Sequence, residues 1–175
     1  MIFFCSLATK HTYCEFLPEE YVYTTFSEDI ILKIMLIQTH LIETVGQVKC
    51  VIIFDDIARY LSKFGKKCET VVSLFSEYRH FDLTIFVALQ SPNLIKSDSI
   101  LANVSYAWIY KVDSEDSYKD IYKNFGRKFK NWKAFREWIE KNNKNHQIII
   151  YDRNKLVEPY IIYKHGLPPT FKIEF

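Results

Sequence analysis

Glycine and proline are scarce in this 175-residue chain, at four and five residues. That excludes a collagen-like repeat, and it argues against long flexible linkers and disordered tracts, which are rich in one or both. No apolar run approaches the ~20 residues that carry a helix across a bilayer. The opening Met1-Ile2-Phe3-Phe4-Cys5 is apolar but short and has no basic lead, so it does not read as a signal peptide. It reads as a strand, and a start so abrupt leads us to expect a segment upstream of it. The four cysteines, Cys5, Cys14, Cys50 and Cys68, contain no C-x-x-C pair, which favours free thiols in a reducing compartment over a disulfide framework. Cys5, His11 and Cys14 form a partial ligand set, but no second pair completes a zinc site. A net charge of +2 by itself implies neither nucleic acid nor membrane. Apolar residues (49%) and aromatics (17%) are plentiful, enough for the core of one domain with a small appendage.

Local patterns divide that chain. Ile2 to Leu7 reads as a buried strand, Ala8 to Glu20 as loop, and Tyr21-Val22-Tyr23 as a brief strand. Thr25-Phe26-Ser27-Glu28 offers a T-x-x-E capping box with Ser27 as a rival cap. Ile30, Ile34, Met35, Leu41, Ile42 and Val45 then follow at helical spacing up to Gly46. Val48 to Phe54 and Thr84 to Leu89 are continuous apolar runs, the signature of strands buried on both faces of a parallel sheet. Between them Val71, Leu74, Phe75 and Tyr78 mark a second amphipathic helix. With Tyr106 to Val112 as a fourth strand, the βαβ rhythm predicts a parallel sheet with crossover helices over residues 1–112. Residues 113–175 read as a smaller extension: helices near Tyr118 to Phe125 and Trp132 to Ile139, a hairpin of Gln147 to Asp152 and Val157 to Tyr163, and a coil tail from His165.

Four features carry chemistry. Asp55-Asp56 end an apolar strand, where open α/β sheets bind ligands. Phosphoryl transfer needs a metal ion on the phosphates and a group that orients the attacking water, and adjacent acids can divide those tasks. The same pair is equally a polar strand-ending turn. Gln90 directly follows the next apolar strand, so a parallel sheet would bring its amide near the acids. Arg79-His80 ends the intervening helix, either as a cation suited to a helix C-terminus or as an arginine reaching a neighbouring subunit. Tyr118 to Lys144 interleaves nine Lys and Arg with Phe125, Phe129, Trp132 and Trp138, a pattern that suits a nucleic-acid backbone. It is also what a helical core with a solvated face looks like. Nowhere in the chain is there a P-loop, G-x-x-x-x-G-K-S/T. The single Gly-Lys pair, Gly65-Lys66, has Tyr60 in place of the first glycine, is followed by Lys67, and lies on the wrong side of Asp55-Asp56.

Taken in order, Val51-Ile52-Ile53-Phe54-Asp55-Asp56, Leu74-Phe75, Arg79-His80-Phe81, Leu89-Gln90-Ser91 and Ala102-Asn103 resemble the poxvirus-type DNA-packaging ATPases of large DNA viruses and virophages, members of the FtsK–HerA group. Phe4-Cys5-Ser6-Leu7 through Leu17-Pro18 is similar to that family's second strand and the loop after it. The resemblance implies a P-loop NTPase (RecA/ASCE-like) α/β fold without its P-loop strand, and an ATP-driven motor that threads double-stranded DNA into a capsid. It implies ATP and Mg2+ as ligands, a homo-oligomeric ring, capsid proteins as partners, no membrane, and a virus-infected host cell or virion as location. Asp55 would be the Walker B acid that holds magnesium through water, Asp56 the catalytic base, Gln90 the sensor, and Arg79 a finger acting on the adjacent subunit. Leu101 stands where many relatives carry arginine. Two alternatives stand beside this reading: a catalytically inactive relative kept for DNA binding or assembly, and a small metal-dependent α/β nuclease built on Asp55-Asp56.

Overall fold

A computed structural model describes residues 1–56, 69–90, 92–95, 98–144 and 147–164. They form two compact units, 1–103 and 104–175. In the first, β1 (Ile2–Phe4), β2 (Val22–Tyr23), β3 (Cys50–Asp55) and β4 (Leu83–Ala88) make an all-parallel sheet in the order β2-β1-β3-β4. The helices are α1 (Lys10–Cys14), α2 (Glu28–Val45), α3 (Glu69–Glu77) and α4 (Asp98–Ala102).

Alternation along the strands sorts the two faces of this sheet. Ile52, Phe54 and Leu83 join Phe4 in a core with Ile31, Ile34 and Met35 of α2 and with Val71, Leu74 and Phe75 of α3. Its centre is aromatic, with the Phe54 ring 5.0 Å from Phe4 and 5.8 Å from Phe26. The buried side of α2 continues to Gln38, an i, i+3, i+4, i+7 stripe. The Gln38 amide donates to the Val48 carbonyl, so the one buried polar group of the stripe ties the helix to the chain entering β3. The helix begins at Ser27, whose hydroxyl accepts from the Ile30 N–H at 3.2 Å. It stops at Gly46, where φ of +95° suits glycine. On the opposite face, Phe3, Cys5 and Val22 form a smaller cluster under Tyr13, Cys14 and Leu17.

The second unit is built differently. β5 (Tyr106–Ile109), β6 (Gln147–Asp152) and β7 (Tyr160–Lys164) form an antiparallel sheet, order β5-β6-β7. α5 (Glu115–Phe125) and α6 (Trp132–Asn142) contribute Tyr118, Ile121, Phe125, Phe135 and Ile139 to a core with Ile109 and Ile149.

Several expectations change here. The fourth strand does not extend the parallel sheet: Trp108 pairs antiparallel with Ile150, and the break falls after Asn103 instead of at 112. The cause is visible in its burial. Tyr106 and Trp108 are exposed while Ile109 is buried, a one-faced pattern that fits an antiparallel sheet with a helical layer on one side only. Ala8 to Glu20 is not all loop, since it holds α1 and a 3-10 turn, Glu19–Tyr21. The hairpin is present, but β7 starts three residues later than expected, after Pro159, which has no N–H to give a ladder. Gly65-Lys66 and the tail from His165 lie outside the described residues.

The cap assignment is testable. Ser27→Ala should lower unfolding stability by about 1 kcal/mol, and Thr25→Ala should stay within about 0.5 kcal/mol of wild type. Urea unfolding of both variants measures this, and the reverse ranking would move the cap to Thr25.

Candidate functional site

The residues singled out from sequence meet at the C-terminal end of β3 and β4. These strands pair in parallel over six positions, from Cys50 with Leu83 to Asp55 with Ala88. Asp55 ends β3, Asp56 follows it, and Gln90 comes two residues after the strand partner of Asp55. Asp56 and Gln90 are exposed and Asp55 is half-buried. Both acids therefore stand at a sheet end open to a ligand, where continuous apolar strands run out and the chain must turn. The turn itself is unusual. Asp56 has φ of +54°, the left-handed region, which an L-residue other than glycine occupies at some cost and which aspartate tolerates better than most.

Asp55 has a partner that sequence reasoning missed. The Tyr13 hydroxyl donates to Asp55 Oδ2, and the Tyr13 ring stacks on Phe3 with centroids 4.0 Å apart. Strand alternation explains the meeting. Phe3 lies beside Ile53 in the register, and two further residues along each chain bring Cys5 beside Asp55 on the face that α1 covers. The contact spans 42 residues of sequence. Tyr13 stands in a stretch without a strong apolar period, so no local signal would have found it. The hydrogen bond to Asp55 is the first cause, and burial the second, that push the Tyr13 phenol up to about 12. Burial also raises the Cys5 thiol, with the nearby Asp55 charge adding to it and the Thr9 hydroxyl opposing it.

Arg79 is not brought to this end. It follows α3, just before β4 begins at Leu83, so the length of β4 separates it from Gln90. Six strand residues span roughly 20 Å. Its Nε donates to the Tyr78 hydroxyl at 3.0 Å, and the guanidinium lies 5.4 Å from the Tyr78 ring centre. Arg79 therefore cannot serve the Asp55 end of its own chain. Thr84, Phe86 and Ala88 of β4 are exposed, Phe86 at 45%. β4 is also an edge of the sheet among the described residues.

Magnesium fits Asp55 in one respect. Mg2+ takes few protein oxygens and keeps several waters, and Asp55 has one carboxylate oxygen engaged by Tyr13 and one without a hydrogen-bond partner among the described residues. Among those residues, no cluster of three His, Cys, Asp or Glu side chains could enclose a metal by itself.

No family model matches the sequence. The chain does match solved structures over nearly its whole length. The DNA-packaging ATPase B204 of Sulfolobus turreted icosahedral virus superposes with a TM-score of 0.65 at 14% identity, over 94% of this chain and 82% of B204. The two share an α/β fold. The genome-packaging NTPase B204 of Sulfolobus turreted icosahedral virus 2, solved with AMPPCP, gives 0.63 at 15% identity over 95% and 83%. TcpA, the pCW3 conjugation coupling protein solved with ATPγS, gives 0.54 at 14% over 93% of this chain and 51% of TcpA. By sequence, the uncharacterised protein L437 of Acanthamoeba polyphaga mimivirus is 25% identical over 152 residues, 82% of this chain and 53% of L437. The chain thus spans about half the length of that viral relative.

The Tyr13 contact makes a pH prediction. A phenol whose folded pKa is raised adds stability below its ordinary value of about 10, and that stability is lost as pH rises through about 12. Tyrosine ring-carbon NMR should show a resonance titrating near the top of this range that is absent in Tyr13→Phe, apart from any late titration of Tyr118 and Tyr160, whose phenols burial also raises. Asp55→Asn should return it toward the ordinary phenol value. A Tyr13 resonance that titrates normally in the wild type would remove the hydrogen bond.

Proposed function

We propose that this chain is part of a viral genome-packaging ATPase of the FtsK–HerA type, which couples ATP hydrolysis to movement of double-stranded DNA into a capsid. The observation that carries the reading is the parallel register of β3 and β4, with Asp55, Asp56 and Gln90 at one sheet end of a fold shared with packaging NTPases. The mimivirus relative supports a viral setting and with it an infected host cell. Cys5, Cys14 and Cys50 are free, as a reducing compartment allows. No helix among the described residues is long and apolar enough to cross a membrane.

In this reading the residues divide the chemistry of phosphoryl transfer. Asp55 holds Mg2+ through water, and the bound ion would offset charge on the phosphates. Asp56 accepts the proton of the attacking water. This acid stands just past the end of β3, at a left-handed turn. Gln90 offers an amide from the next strand to hold that water or a γ-phosphate oxygen. The Tyr13 hydroxyl holds one oxygen of Asp55 and so orients the other. Arg79, at the far end of β4, can act only on a neighbouring copy, which makes a homo-oligomeric ring part of the reading. Capsid proteins would be the further partners. The backbone cradle and lysine that grip the phosphates are not among these 175 residues, since the chain contains no G-x-x-x-x-G-K-S/T.

That last fact favours a second reading, a catalytically inactive relative that keeps the fold for DNA binding or assembly. The nuclease reading gains no metal cluster among the described residues. Phosphate release from Mg·ATP by the full chain, with and without duplex DNA, separates the three. The motor reading expects hydrolysis that Asp56→Asn lowers at least ~100-fold and that Arg79→Ala lowers only where copies assemble. DNA retention without hydrolysis or nucleotide binding would replace it with the inactive relative. A metal-dependent plasmid nick lost in Asp55→Ala would replace it with the nuclease.

A further inference from the structure

Charge is unevenly divided between the two units. The first carries nine Lys and Arg against twelve Asp and Glu, and the second carries fourteen against nine. A net charge of +2 therefore conceals a second unit with a surplus of five positive charges. Such an asymmetry points to a polyanion bound by one part of a chain.

Two of the five cations on the second unit's helices are paired. Lys119 pairs with Glu115 at 2.6 Å and covers the Trp132 ring, and Arg136 pairs with Glu140 at 2.8 Å. The aromatics of the basic stretch are core: Phe125 is buried, and Phe129 and Trp138 pack against the same cluster. These rings are therefore not free to stack on bases as the interleaved pattern suggested.

A different set of cations converges on one cleft of about 120 Å³ within this unit. Arg127 and Lys128 line it from the turn after α5, and Arg153 and Lys155 from the turn between β6 and β7. Gly126 makes the first turn possible, because a Cβ there would lie 2.5 Å from the Tyr122 ring and 2.8 Å from its Cα. Lys128 fastens the two turns together: its ammonium donates to the Leu156 carbonyl and, at 2.7 Å, to that of Val157. Below them the Tyr160 hydroxyl donates to the Phe125 carbonyl, and the Tyr151 and Tyr160 rings lie 5.6 Å apart. Neither acid flanking the second turn lines the cleft: Asp152, at the end of β6, is buried and accepts from the Asn154 N–H at 3.0 Å, and Glu158 is exposed. Arg127 and Lys155 are exposed and make no ion pair among the described residues.

We propose that this cleft is where the second unit grips the phosphate backbone of duplex DNA. The volume is well below the ~300 Å³ at which small-molecule pockets begin, so it suits a phosphate and not a whole nucleotide. The rings beneath are engaged in packing, so the contact reads backbone charge and not bases. The guanidinium fork of Arg127 matches phosphate oxygens in pairs. The choice of duplex DNA as the polymer rests on the packaging reading; the cationic cleft does not.

Anisotropy of a fluorescein-labelled duplex, titrated with the full chain between about 50 and 200 mM NaCl, tests this. Combining Arg127→Ala with Lys155→Ala should weaken binding at least ~10-fold and lower the slope of log affinity against log salt by about 2. Lys33→Ala with Lys49→Ala, exposed cations of the first unit, should leave both unchanged. Asp56→Asn should also bind normally, so a chain that hydrolyses no ATP yet shows the Arg127 and Lys155 dependence keeps this site and loses the motor. Equal behaviour of the two double variants, with circular dichroism confirming both folded, would overturn the proposal. So would displacement of the duplex by polyglutamate as readily as by unlabelled DNA at equal charge, which would assign the cleft to an acidic protein segment.

Discussion

The parallel pairing of β3 with β4 is the constraint on which the first unit depends. Two six-residue strands in register place everything polar at their ends and everything apolar between. One alternating set, Ile52 and Phe54 with Leu83, closes the aromatic core against α2 and α3. The other set faces α1 and ends in Asp55. A slip of one residue would exchange the faces, burying the carboxylate among phenylalanines and exposing Phe54. The packing that stabilises the sheet is therefore the same packing that delivers the acids to its end.

From that register the chemistry is distributed by distance. Asp55, Asp56 and Gln90 share one end because parallel neighbours end together. Arg79 precedes β4 and must sit at the other. A chain with this arrangement has an acid pair and an amide at one sheet end, and Arg79 a strand length away. The second unit follows other physics. Its sheet is antiparallel and buried on one face, and four of its cations line the cleft between two turns.

Much of this was legible because it is local. Continuous apolar runs marked β3 and β4, the helical spacing of Ile34, Met35 and Val45 marked α2, and Arg153-Asn154-Lys155 marked the hairpin turn. The strand at Tyr106 was read wrongly for an instructive reason. Tyr-Ala-Trp-Ile is apolar throughout, and composition does not separate a two-faced strand from a one-faced strand with large exposed rings.

By itself, then, the sequence determined the elements, the acids at a strand end, the absence of a P-loop motif and the excess of cations beyond Tyr118. Those follow from side-chain periodicity and residue type within a few turns of chain. Tertiary structure decided which strands pair, that Tyr13 reaches Asp55, that Arg79 lies a strand length from Gln90, and which cations share a cleft. Each of these joins residues far apart in the chain. Such contacts form when core packing brings strands and turns together, and no local pattern carries them. The acids of Val51 to Asp56 could be found by reading along the chain; the tyrosine that holds one of them could be found only by folding it.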